Sequence, residues 1–286
     1  MSTGNALIAG GDTGLLGQAL VHVMQKQGLN VLTPGRGELD LFDARQLENI
    51  IRKNNIDLVA NAVAYTGVDQ AEEEQEEAFR LNRDLPGVLG QVCRDNDVCL
   101  LHYSTDYVFD GKKSIPYSTD DQPRPLSVYG RSKLAGEELL LKNPWGRLLI
   151  IRSAWLFGPF KNNFVQKIIQ MAQSGQPLNV VHDQVGSPTY TLDLARYSLE
   201  LVRKQTSGLF HVVNKGQASW CELASESIMC TGLSSRLNPV SSEEFPRQAK
   251  RPPYSVLDTS KFSMVTGITV RSWVQALREY VFQLQD

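Results

Sequence analysis

The chain has 286 residues, of which 42% are hydrophobic and 21% charged, and a formal net charge of −2. This composition is ordinary for a soluble globular protein, and the length allows one large domain or a domain with a smaller lobe. The near-neutral charge and the lack of a Lys/Arg-rich run argue against nucleic acid or a membrane surface as partner, and no apolar run is long enough for a membrane helix.

The amino terminus and the cysteines predict a cytoplasmic protein. Residues 1–5 lead straight into an apolar segment, without the basic and long apolar regions of a secretory signal. Cys93, Cys99, Cys221 and Cys230 form no Cys-x-x-Cys pair, and no histidine cluster accompanies them. We therefore expect reduced thiols and no metal site.

Short apolar segments alternate with helical patterns through the first half of the chain. The predicted strands lie at 6–9, 30–33, 58–62, 99–103 and 147–152, and the predicted helices at 15–27, 44–54, 72–95 and around Tyr129. Alternation of helices with continuously apolar strands is typical of a parallel sheet that helices cover on both faces. The predicted fold class is α/β, a doubly wound parallel sheet of the Rossmann type with a smaller C-terminal substrate-binding lobe.

The pattern is less regular beyond about residue 160. Predicted helices lie at 164–173, 192–204, 220–229 and 273–284, separated by loops rich in Pro, Gly and Ser. We predict a dinucleotide-binding domain at 1–160, with later strands contributed from about 180–215. Residues 161–286 are predicted to form mainly a substrate-binding lobe.

Glycines lie where the first predicted strand turns into the first predicted helix. They are Gly11, Gly14 and Gly17, and Leu15 and Leu16 stand between the last two. Small residues let the backbone approach a pyrophosphate, whose charge the helix N-terminus stabilises. The spacing differs from the usual Gly-x-Gly-x-x-Gly form, but the strand–turn–helix context predicts that these five residues bind a dinucleotide.

The end of the second predicted strand bears on the choice between NADH and NADPH. An acidic residue there binds the ribose 2′-hydroxyl, whereas an arginine accommodates a 2′-phosphate. The sequence has Arg36 and no carboxylate until Glu38. This favours NADPH and leaves NADH open, and we expect Asp40 and Leu41 to lie beside the adenine.

Tyr129 and Lys133 stand four residues apart on a predicted helix, so their side chains share one face. A nearby ammonium stabilises a phenolate, so we expect the Tyr129 pKa to fall toward a value useful for proton transfer. Ser104 and Thr105 follow the fourth predicted strand, at the edge where ligands bind in open parallel sheets. With the glycine turn, this order of motifs is typical of hydride-transfer chemistry.

The chain resembles the extended short-chain dehydrogenase/reductases. The matching segments are 61–72, 104–111, 125–137, 152–155, 183–189 and 251–261. The resemblance implies that Tyr129 is the proton donor, that Lys133 holds the ribose and lowers the phenol pKa, and that Thr105 orients the keto oxygen of the substrate.

The same resemblance implies a nucleotide-linked 4-keto-6-deoxy sugar as the substrate and no nucleic acid or membrane as partner. Val63, Ala64 and Tyr65 would contact the nicotinamide and its ribose. Trp155 would stack on the nucleobase of the substrate, beside Ser104 and Thr105. The substrate diphosphate needs a cation, and Arg251 is the best candidate.

Some members of the family form a metal-bridged dimer through a glutamate in the first helix. Ala19 stands at that position here, so we expect no such metal and a monomer or homodimer. Nucleotide-sugar dehydratases carry Asp-Glu where this chain has Asp106-Tyr107, so elimination lacks its base and reduction is favoured. Two alternatives stay open, a non-catalytic nucleotide-binding regulatory subunit and a reductase or epimerase of another nucleotide sugar.

Overall fold

The computed structural model of the chain describes residues 4–35 and 37–284. The strands are β1 (Asn5–Ala9), β2 (Asn30–Leu32), β3 (Ile56–Asn61), β4 (Cys99–Thr105), β5 (Leu148–Ser153), β6 (Leu156–Phe157), β7 (Leu178–Val181), β8 (Val185–Gly186), β9 (Thr189–Tyr190), β10 (Gly208–His211), β11 (Ala218–Ser219) and β12 (Leu237–Val240). The helices are α1 (Leu15–Lys26), α2 (Ala44–Lys53), α3 (Gln75–Phe79), α4 (Leu85–Asp95), α5 (Val128–Leu141), α6 (Phe164–Gln173), α7 (Thr191–Arg203), α8 (Trp220–Thr231), α9 (Ser260–Thr266) and α10 (Trp273–Gln283).

A six-stranded parallel sheet in the order β2-β1-β3-β4-β5-β10 forms the centre of the molecule. Side chains of β1 alternate between two cores, because successive residues of a strand point to opposite faces. Ile8 packs with α1 and α7 on one face, and Leu7 packs with α2 and α4 on the other. The predicted α/β fold class is confirmed.

The strand order reverses between β1 and β3, which places a crevice at their carboxyl ends. Of the segment predicted to add later strands, β10 joins the sheet beside β5, whereas β7 pairs with β12 outside it. The sheet therefore ends on a strand that follows more than fifty residues of other structure.

The predicted helix at 72–95 is interrupted. A 3-10 turn (Gln70–Glu72) precedes α3, and a π-helical turn (Arg80–Asp84) joins α3 to α4. Pro86 stands in the first turn of α4 and has no N–H to donate to the preceding turn. A Cβ on Gly136 would overlap the carbonyl oxygen of Asn82, so α5 packs closely against this π-helical turn.

The C-terminal segment 248–258 returns to the carboxyl edge of the sheet. Its backbone bonds to Val185 and to Tyr117, and a Cβ on Gly111 would lie 2.6 Å from Pro253. The segment thereby connects the C-terminal half to the loops that follow β3 and β4. Within 4–35 and 37–284, none of the helices is long and apolar enough to cross a membrane.

Candidate active site

A cleft of about 620 Å³ opens at the carboxyl ends of the central strands. Most of the residues predicted from the sequence line it together, namely Gly14, Leu15, Leu16, Val63, Ala64, Ser104, Thr105, Tyr129, Lys133, Trp155 and Arg251. The remaining described residues of the prediction do not line the cleft, namely Gly11, Gly17, Tyr65, Asp40 and Leu41. Arg36 lies outside the described residues.

The glycine turn between β1 and α1 is built by close backbone contacts. Gly10 has a φ of 78°, a conformation that favours glycine. A Cβ on Gly14 would lie 2.7 Å from the Gly10 carbonyl oxygen, and a Cβ on Gly17 would overlap that oxygen. No side chain caps the N-terminus of α1, so its first N–H groups are left to face an anion in the cleft. These residues fit the pyrophosphate of a dinucleotide.

Substituting Gly17 by alanine is expected to lower the free energy of unfolding by about 3 kcal/mol, because the added methyl group meets backbone rather than a flexible side chain. The same substitution should weaken dinucleotide binding, since the turn must move. Gly146→Ala is the matched control, because a Cβ there meets nothing within 4 Å. Chemical denaturation and cofactor titration measure both effects, and equal stability of the two variants would contradict the geometry.

The segment after β3 is fixed by two asparagines. The Asn61 side chain accepts from Val63 N at 3.1 Å, and the Asn82 side chain accepts from Tyr65 N at 2.9 Å. The Tyr65 phenol donates to Glu74 at 2.8 Å, so its ring is held toward the start of α3. The Asp40 carboxylate is exposed and accepts from Phe42 N at 2.9 Å.

Tyr129 lies in the first turn of α5, whose N-cap Ser127 accepts from Gly130 N at 3.1 Å. Its side chain lines the cleft together with Thr105, the last residue of β4. Lys133, one turn further along α5, is 2% exposed, and its ammonium donates to the Tyr103 carbonyl at 2.5 Å. The structure thus brings Thr105, Tyr129 and Lys133 to one wall of the cleft.

The expected lowering of the Tyr129 pKa is wrong for this structure. Burial raises the pKa of Tyr129 to about 12, against an opposing effect of the Thr105 hydroxyl. Burial also lowers the pKa of Lys133 to about 8, while Glu137 raises it. For Tyr129, desolvation of the phenol outweighs pairing with Lys133, because the Lys133 ammonium bonds to the Tyr103 carbonyl instead. At neutral pH the phenol holds its proton, as a proton donor must.

A buried ion pair supports this wall and was not predicted from the sequence. Glu137 and Arg152 form a bidentate pair at 3.0 and 2.6 Å, with side chains 1% and 3% exposed. Glu137 also accepts from the hydroxyl of Ser104. The sequence signal was a charged residue inside the apolar run of β5, together with a carboxylate one turn beyond Lys133.

Both faces of the Trp155 indole are occupied. Trp220 stacks on it with ring centroids 3.7 Å apart and planes 7° apart. A Cβ on Gly186 would overlap the same indole, and since Trp220 covers one face, Gly186 lies on the other. Trp155 also has a φ of 47°, which is strained for a bulky residue. Stacking of a nucleobase on Trp155 therefore requires Trp220 to move.

Trp220 itself lines the cleft, with Phe164 tilted against it at a centroid distance of 4.7 Å. Sequence reasoning missed both, because each begins a helix whose apolar residues read as core. Lys161 also lines the cleft and is exposed. Trp155, Phe164 and Trp220 together form an aromatic wall of the cleft, and they come from three separate segments of the C-terminal half.

The charge of Arg251 is already paired. Its guanidinium bonds both oxygens of Asp69, at 3.1 and 2.8 Å, and its charge opposes the rise that burial causes in the pKa of the Tyr107 phenol. The Arg251 bond holds the pKa of Asp69 below its usual value. The Tyr107 ring in turn lies edge-on to the Tyr129 ring, 5.7 Å between centroids. Arg251 thus connects the C-terminal segment to the cleft.

No group of three or more His, Cys, Asp or Glu side chains within residues 4–35 and 37–284 could hold a metal ion. The absence of a metal from the mechanism stays a prediction, based on Ala19.

Comparison with known proteins gives consistent relatives over the whole chain. The sequence model of the RmlD substrate binding domain family matches residues 5–286. A dTDP-4-dehydrorhamnose reductase of Sinorhizobium fredii is 35% identical over 96% of each chain. A dTDP-4-dehydrorhamnose reductase structure from Clostridium acetobutylicum has a TM-score of 0.93 at 36% identity, covering 99% of this chain and 100% of that one. The Bacillus anthracis reductase in complex with NADP has a TM-score of 0.94 at 30% identity, covering 98% and 99%.

Proposed function

The chain belongs to the RmlD substrate binding domain family, and we propose that it reduces dTDP-4-dehydro-L-rhamnose to dTDP-L-rhamnose with NADPH. The observation that carries the proposal is the meeting of Thr105, Tyr129 and Lys133 in one cleft with the open glycine turn of α1. NADH is the second cofactor to test, since Arg36 lies outside the described residues.

The glycine turn and the start of α1 would hold the pyrophosphate of the dinucleotide, and the segment Val63–Tyr65 would flank its nicotinamide ribose. The bound dinucleotide would supply a hydride to C4 of the sugar. Tyr129 keeps its phenolic proton at neutral pH, because burial raises its pKa to about 12, and gives that proton to the oxygen at C4. Lys133 brings positive charge to the same wall below a pH of about 8.

We assign the sugar end of the substrate to Ser104, Thr105 and Tyr129, and the nucleotide end to the aromatic wall. Tyr107 occupies the position of the dehydratase base and offers a phenol near the charge of Arg251 instead of a carboxylate. Reduction needs one hydride and one proton, which the cleft can provide, whereas elimination needs a further base. We propose also that residues 161–286 form mainly the substrate-binding lobe, and that the chain acts in the cytoplasm as a monomer or homodimer.

The direct test is the oxidation of NADPH by the purified chain with dTDP-4-dehydro-L-rhamnose, followed by analysis of the configuration at C4. We expect turnover, a lower rate with NADH, and lower kcat/KM for uridine and guanosine analogues of the sugar. Faster turnover of another nucleotide sugar would reassign the substrate. Binding of NADPH without turnover of any 4-keto nucleotide sugar would support a regulatory subunit instead.

A further inference from the structure

Asp106 is a buried carboxyl group directly behind Thr105. It is 2% exposed and follows β4 in the loop that carries Tyr107. One carboxyl oxygen accepts from the Thr105 hydroxyl at 3.0 Å, and the other accepts from the Ser255 hydroxyl at 2.5 Å. Asp106 therefore joins the catalytic wall to the C-terminal segment.

The hydrogen bonds of Thr105 have a fixed direction. A hydroxyl group has one proton to donate and two lone pairs that accept. The Thr105 proton goes to Asp106, and the Thr105 oxygen accepts from Tyr107 N at 3.2 Å. The Thr105 oxygen then has only one lone pair left for the cleft, where the Tyr129 phenol also lies. With its proton on Asp106, Thr105 can meet the Tyr129 phenol or a substrate only as an acceptor.

We propose that Asp106 is a positioning residue that makes Thr105 an acceptor and so holds the proton of Tyr129 in the cleft until a keto oxygen takes it. This inference rests on the proposed function. It gives Thr105 a different part from donating to the keto oxygen, since its proton is engaged by Asp106. Tyr129 is then the group that donates to the substrate, and Ser255 fixes the second carboxyl oxygen.

The pH dependence of kcat distinguishes positioning from a purely structural role of Asp106, because only positioning predicts a fall in kcat when Asp106 is protonated. Burial raises the pKa of Asp106 to about 6, against the bonds from Ser255 and Thr105 that lower it. The titratable groups around it are the phenols of Tyr107 and Tyr129, and the charge of Arg251 acts on Tyr107. The carboxylate loses its charge as pH falls through about 6, so kcat should fall there. Ser255→Ala removes a bond that favours the carboxylate, so this limb should move to higher pH.

A double-mutant cycle on kcat distinguishes positioning of Thr105 by Asp106 from a purely structural role in which Asp106 only connects two segments. We expect Asp106→Ala and Thr105→Ala each to lower kcat by about 10- to 100-fold, the effect of losing a hydrogen bond to a charged group. If Asp106 acts through Thr105, the double variant should lose no more than the worse single variant. Multiplying losses would overturn the proposal.

Further variants and structures keep the test decisive. Asp106→Asn preserves the shape, so it should fold where alanine does not, and it should abolish the acid limb near pH 6. Crystal structures of Asp106→Ala should show Thr105 or Tyr129 in altered rotamers, and unchanged rotamers would contradict the inference without any assay. If the wild type turns over and the losses of kcat in the two single variants multiply in the double variant, the inference about Asp106 is rejected and the proposed function stands. No wild-type turnover would remove the proposed function, and the crystal structures would still decide the part of Asp106.

Discussion

Tyr129→Phe is expected to lower kcat by about 10²- to 10⁴-fold, the range over which general acids contribute to catalysis. The ring remains in place against Tyr107, and only the proton donor is lost. Binding of NADPH should be retained, because the glycine turn and the start of α1 are untouched. Steady-state kinetics measures kcat, and titration with NADPH on the same preparation measures cofactor binding.

Tyr197→Phe is the matched control for this substitution. Tyr197 lies on α7, and its hydroxyl accepts from Arg271 N at 3.2 Å, outside the cleft lining. We expect its kcat to stay within a few-fold of the wild type. A kcat of Tyr129→Phe close to that of the wild type would exclude the phenol as proton donor. Loss of NADPH binding in that variant would instead point to a structural part for the phenol.

Glu137→Ala is expected to lower the free energy of unfolding by about 3–5 kcal/mol, because it leaves the buried charge of Arg152 without its partner. Arg152 is 2% exposed, and one of its nitrogens already has no hydrogen-bond partner among the residues that the structure describes. Such a loss is a large part of the stability of an ordinary domain. Denaturation with urea, monitored by tryptophan fluorescence, measures it.

Glu200→Ala is the control for the ion pair, because Glu200 and Arg203 form an exposed pair at 2.8 Å along one helix and such pairs contribute about 0–1 kcal/mol. A second control replaces both partners by apolar residues, Glu137→Leu with Arg152→Met, and should lose less than Glu137→Ala, since no uncompensated charge remains. Equal losses in Glu137→Ala and Glu200→Ala would show that the buried pair contributes little.

Local pattern predicted the main sheet and the helices well, because burial and periodicity act over a few residues. The helix Phe164–Gln173 was predicted with its observed bounds, and α7 to within one residue. The interruption between α3 and α4 was missed, although Pro86 stands in the first turn of α4 and has no N–H to donate to the preceding turn. The strand β12 was missed because it is paired with β7, almost sixty residues away, and has no pattern of its own.

The candidate site divides in the same way. The spacing of Tyr129 and Lys133 and the position of Thr105 were visible in the sequence, because each follows from a strand end or one turn of a helix. The direction of the pKa shift of Tyr129 was not, because it is set by burial from several elements at once. The stacking of Trp220 on Trp155 and the pairing of Arg251 with Asp69 were also not predictable, since each joins segments far apart in the chain.

The sequence by itself determined a parallel α/β sheet, a glycine turn for a dinucleotide, and a tyrosine and lysine on one helical face, all of which depend on neighbours within about one turn or one strand. Only the tertiary structure decided that the Tyr129 phenol stays protonated, that Arg251 is neutralised by Asp69, and that Ser255 fixes the second carboxyl oxygen of Asp106. Desolvation and long-range hydrogen bonds set these properties. The two hydrogen-bonded pairs form only when the C-terminal segment is folded against the loops that follow β3 and β4.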